Sequence, residues 1–117
     1  MDERILHLED GSTVTAKVNF ATLYYMQRTK SLRRLKGKDL NKLSDTQKMQ
    51  VTADLIYVLL RSNGKNVSWD EALILAPADL SEGSEFAEVF DEFQRKMEQY
   101  SKKVEAQQNM KNLVRSI

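Results

Sequence analysis

The chain has 117 residues, with 18 Lys/Arg against 17 Asp/Glu and no cysteine. That length makes a single domain, which buries roughly two-thirds of its unfolded surface and forms a core without covalent staples. The missing thiols exclude disulfides and thiolate metal sites.

The opening Met-Asp-Glu-Arg is charged with no apolar run behind it, and no window approaches the ~20 apolar residues of a membrane span. The expectation is a soluble, intracellular protein with no membrane partner. The net charge of +1 hides a segregated distribution. Residues 1–43 carry nine Lys/Arg against five Asp/Glu, residues 44–100 five against eleven, and residues 101–117 four against one. Such asymmetry steers complementary partners or orients self-association.

In chain order, Arg4-Ile5-Leu6-His7-Leu8 faces Thr13-Val14-Thr15-Ala16-Lys17-Val18 across Glu9-Asp10-Gly11-Ser12. Asp-Gly between two strand-like runs predicts a β-hairpin, because glycine takes positive φ without steric cost. Val14, Ala16, Val18 and Phe20 alternate with polar residues, giving the second strand one apolar face. A lone two-stranded hairpin is marginal in water, so it must rest on a helix or pair with something else.

Asn19 is the expected N-cap of a helix beginning near Phe20, with Leu23, Tyr24, Met26, Leu32 and Leu35 as apolar contacts and Gly37 as its end. Lys38 to Leu43 is then a connector. Ser44-Asp45-Thr46-Gln47 fits a capping box, opening a helix that runs to about Asn63 and stops at Gly64. Leu55, Ile56, Val58, Leu59 and Leu60 make its middle apolar almost all round, which places it at the centre of a bundle. Ser68 to Glu71 is a second capping-box pattern, opening a helix through roughly Leu75, and Pro77 cannot continue it.

Ser84 starts the last and longest helix. Phe86, Phe90, Phe93, Met97, Tyr100 and Val104 are spaced 4, 3, 4, 3, 4, a heptad seam of nearly three repeats. Asp91–Arg95, Glu92–Lys96 and Glu98–Lys102 stand in the favourable i,i+4 order for ion pairs. Aromatic residues at this spacing are first of all intramolecular core, while the C-terminal half of the seam is the part a partner helix or second copy would fill. The predicted fold is thus mainly α (α+β), an N-terminal hairpin followed by a bundle of about four helices. Residues 1–104 form the domain, and residues 105–117 a polar tail that frays.

Little here points to catalysis. His7 is the only histidine and sits in a hairpin strand with no cysteine to activate. Arg61 to Lys65 lacks the spacing of a phosphate loop. Asp70-Glu71 and Asp91-Glu92 are helical neighbours about 100° apart, so neither pair converges on a substrate or metal. The expectation is a non-enzymatic protein with no metal and no cofactor.

Arg28, Lys30, Arg33, Arg34, Lys36, Lys38 and Lys42 make a basic stretch relieved only by Asp39. It reads as a solvated face, as a docking surface for an acidic protein face such as the 85–98 helix of a neighbouring copy, or as a nucleic-acid contact. The overall pI, not far above neutral, weighs against the last.

Taken together, LIYVLLRSNGKNVSWDEAL and FDEFQRKMEQYSKK, with the Asp10-Gly11 hairpin before them, resemble the tail assembly chaperones of long-tailed (siphovirus-type) bacteriophages and prophages. The resemblance covers nearly the whole chain as a pattern rather than as a short invariant motif. It implies a small helical protein that binds the tape measure protein and keeps it soluble during tail morphogenesis. It also implies self-association, action in the host cytoplasm, absence from the mature virion, and a possible frameshift-extended form of the same chain as a partner.

On physical grounds the partner contact falls on Met97, Tyr100 and Val104, with Arg33, Arg34 and Lys36 as rim charges. Two alternatives stay open: a small nucleic-acid-binding regulator using Arg28 to Lys42, and a self-associating structural component of the virion.

Overall fold

Asp10 closes the first turn of the chain by accepting hydrogen bonds from the Ser12 amide at 2.9 Å and the Ser12 hydroxyl. Gly11 beside it has φ 86°, the left-handed conformation the turn demands. The flanking residues pair antiparallel as β1 (Ile5–His7) and β2 (Thr13–Thr15), with Leu6 opposite Val14. The structure is a computed structural model that describes residues 4–29 and 42–115, with side chains to 106. Among the described residues four helices follow the hairpin: α1 (Phe20–Gln27), α2 (Asp45–Ser62), α3 (Trp69–Leu75) and the long α4 (Glu85–Arg115).

Local chemistry accounts for most of these boundaries. Asn19 caps α1 through a reciprocal box with Thr22, and its amide also donates to the Ser62 carbonyl at 3.2 Å, tying the start of α1 to the end of α2. This cap breaks the alternation of the strand before it. Phe20 therefore does not extend the apolar face of β2; it is the first helical residue and is 68% exposed. Helix α1 is also shorter than its sequence suggests, ending at Gln27 with Arg28 as C-cap. Leu32, Leu35 and Gly37, expected to complete it, lie outside the described residues.

Ser44 and Gln47 form the full capping box of α2. At the other end Gly64, at φ 88°, donates to the Arg61 carbonyl, while the Lys65 amide reaches the Leu60 carbonyl. Those two bonds define a Schellman stop. Ser68 caps α3 by accepting from the Glu71 amide, and the Ser68 hydroxyl itself donates to the Glu71 carboxylate at 3.3 Å. Pro77 follows the C-cap Ala76.

Every residue of α2 from Val51 to Leu60 is buried except the half-buried Tyr57. The helix packs on α1, α3 and β2, while β1 lies against α4. The hairpin therefore rests on helices on both of its strands, which removes the instability of an isolated ribbon. Leu6, Leu8, Val14 and Ala16 of the hairpin join the α2 side chains, Ala72 of α3, and Phe86, Val89, Phe90, Phe93 and Met97 of α4 in one core. Each fully buried phenylalanine contributes roughly 1.5–3 kcal/mol by leaving water, so the first half of the α4 seam is a principal stabiliser. The α4 backbone runs on to Arg115, past Val104 where the apolar seam stops.

Candidate partner-binding surface

The acidic N-terminal half of α4 faces inward along one edge, toward β1. Glu85 accepts from the His7 amide and lies 2.9 Å from His7 Nδ1. One turn on, Glu88 takes the Arg4 guanidinium at 2.8 Å, and Glu92, buried, accepts from the Arg4 amide at 3.1 Å. Of these donors only the His7 amide belongs to β1, and Glu85 occupies it from outside the hairpin. The His7 amide, and then its ring, hold the Glu85 carboxyl below the usual carboxylate range. His7 is thereby assigned a structural contact.

The ion pairs along α4 follow the predicted pattern in two of three cases. Glu92–Lys96 and Glu98–Lys102 form at 3.6 Å and 3.2 Å. Arg95 instead turns to Glu92 at 3.9 Å rather than to Asp91. Glu92 is the better-placed carboxylate because Lys96 and the Arg4 amide already hold it in position.

The predicted contact residues separate. Met97 is 2% exposed and belongs to the core, so its side chain is not offered at the surface. It is carried inward by the same stripe that buries Phe86, Phe90 and Phe93. Tyr100 and Val104 are half-buried. Tyr100 lines an open groove of about 340 Å³ with Lys96, Gln99 and Lys103 from α4, and Lys17 and Val18 from the segment after β2. The Lys96 ammonium donates to the Ala16 carbonyl at 2.9 Å. Arg33, Arg34 and Lys36 lie outside the described residues, as does most of the basic stretch.

A second surface was not anticipated from the sequence. Ala72 and Leu75 of α3 and its C-cap Ala76 pack against the core, leaving Leu73 at 42% and Ile74 at 74% exposure. Trp69 stands on the same helix, partly exposed, with its indole N–H donating to the buried Asp54 at 2.7 Å. Asp70 and Glu71 border this apolar face and sit in the first turn of α3, where negative charge suits the helix dipole. The available signal was spacing: a stripe at 72, 75 and 76 cannot also carry 73 and 74 inward. Phe20 and Tyr24 form a smaller exposed pair on α1, with the Arg28 guanidinium 5.5 Å from the Tyr24 ring centre.

Among the described residues no group of three or more His, Cys, Asp or Glu side chains is placed to hold a metal ion, and no helix is long and apolar enough to cross a membrane. What these surfaces offer chemically is adhesion: an acid-bordered apolar face on α3 and a lysine-lined groove beside Tyr100. No protein-family model, no curated protein and no solved structure matches the chain.

Proposed function

We propose that the protein is a tail assembly chaperone of the long-tailed phage type, which binds the tape measure protein in the host cytoplasm and keeps it soluble until the tail tube surrounds it. The observation that carries the reading is the α3 surface. In seven residues it exposes Trp69, Leu73 and Ile74 beside Asp70 and Glu71. An isolated exposed leucine needs no explanation, whereas clustered apolar side chains with a charged border fit a helix-on-surface contact. A tape measure helix presents apolar stripes before assembly, and such a surface covers them reversibly. The resemblance of residues 51–103 to this chaperone class supports the same conclusion, with self-association around the tape measure and absence from the finished virion as its corollaries.

Co-expression with the tape measure protein of the same genome tests the proposal. Soluble co-purification is expected, lost on Leu73→Asp with Ile74→Asp, two exposed substitutions that leave the core untouched. A tape measure that stays insoluble beside the wild-type chain would refute the chaperone role. Persistence of the chain in purified virions would favour a structural component instead.

A further inference from the structure

The groove beside Tyr100 has a charge pattern that selects its occupant. Four of its residues, Lys96, Gln99, Tyr100 and Lys103, recur at one helical stripe of α4, and Lys17 and Val18 form the opposite wall. Lys96 is committed to the Ala16 carbonyl and to Glu92. Lys17 and Lys103 are exposed and have no carboxylate within ion-pairing distance among the described residues. Two residues with uncompensated ammonium groups thus line the groove together with Val18 and Tyr100. A volume of about 340 Å³ is at the low end for ligand pockets, with room for a few side chains and no more.

We propose that this groove docks a short acidic segment of the protein partner, one apolar side chain seated on Val18 and Tyr100 and carboxylates reaching Lys17 and Lys103. The partner's identity rests on the chaperone reading; the chemistry of the segment rests on the groove. Nucleic acid fits less well. A duplex carries one charge per ~1.7 Å, and extended toward the N-terminus of α4 it would meet Glu92, Glu88 and Glu85. A short peptide stops before them.

The test uses the full chain and a fluorescein-labelled peptide in which Leu-Phe is flanked by glutamates, read by anisotropy at low and high salt. Binding should weaken about tenfold or more in the Lys17→Glu, Lys103→Glu double variant, and similarly when the peptide's glutamates become glutamines. Lys102→Glu, which changes a lysine already paired with Glu98, should bind within about twofold of wild type. Circular dichroism of the double variant should match wild type, since both lysines are surface groups.

Equal binding by the double variant, or no binding at about 1 mM peptide, would overturn the proposal. So would displacement of the peptide by duplex DNA, which assigns the groove to phosphate. Self-association of the chain that the double variant abolishes would overturn it too, assigning the groove to a second copy. In the tape measure co-expression, solubilisation by wild type and double variant alike leaves the chaperone role standing and removes the groove from it. Failure by wild type removes the chaperone role, while the peptide measurement still decides the groove.

Discussion

Glu85 is where the first and last elements of the fold meet. Its carboxylate holds the His7 amide and ring, and the His7 amide followed by the ring lowers its pKa. Asp10 and Asp79 are lowered as well, each by the hydroxyl and then the amide of a serine two residues on. A carboxyl whose folded pKa lies below its unfolded one contributes stability that is present above the unfolded value and lost as pH falls through the folded value. All three act in the same direction, so the denaturation midpoint should hold through neutral pH and drop below about pH 4. Glu85→Gln should make that acid-side drop shallower, which urea titrations at stepped pH would measure. Because Glu85 is well exposed, solvent screening keeps its contribution modest.

Within elements, the decisive feature is how α4 divides its seam between core and surface. Met97→Ala should cost about 2–5 kcal/mol, as large-to-small changes in packed cores do. Met97→Asp should unfold the chain outright by burying an unpaired carboxylate, and so cannot report on partner binding. Tyr100→Asp, on the half-buried side, should keep the fold; thermal melts of the three variants distinguish these outcomes.

Helix α2 offers a separate measurement at its end. Gly64→Ala has open space for the methyl group, but φ 88° is strained for any residue with a Cβ, so a loss of about 1 kcal/mol is expected in urea denaturation. Its tie to α3 can be tested through Trp69→Phe, which removes the hydrogen bond to Asp54. That change should cost about 1 kcal/mol, the net worth of one hydrogen bond.

At the scale of the whole molecule, every residue of the core among those described lies between Leu6 and Met97. Ending the chain after Ala106 removes none of those described core residues, and equilibrium denaturation of the shortened chain measures what residues 107–117 contribute. The segregation of charge has a structural use at this scale: the acidic stretch supplies Glu85, Glu88 and Glu92 to hold Arg4 and His7, contacts that span 78 to 88 positions of sequence. The same helix then turns basic and lines the lysine groove with residues 96 to 103. One element thus both closes the fold and lines the groove.

The hairpin and the later helices were legible from sequence because their ends are written in local chemistry. Asp10-Gly11, Asn19, Ser44 to Gln47, Gly64, Ser68 and Pro77 act on amides and carbonyls two to five residues away, with little dependence on the rest of the chain. The apolar periodicity of α2 likewise announced a central helix.

Only the tertiary structure decided that Met97 is core while Tyr100 borders a groove, that Lys17 and Lys103 line the same groove, and that Leu73 and Ile74 stay exposed. A periodic seam marks residues that share a face, but how far along the helix that face is covered depends on where the neighbouring elements end. Here the Lys96 side chain ties α4 to the Ala16 carbonyl, 80 residues away in sequence, and past the buried Met97 the seam is only half-covered at Tyr100 and Val104.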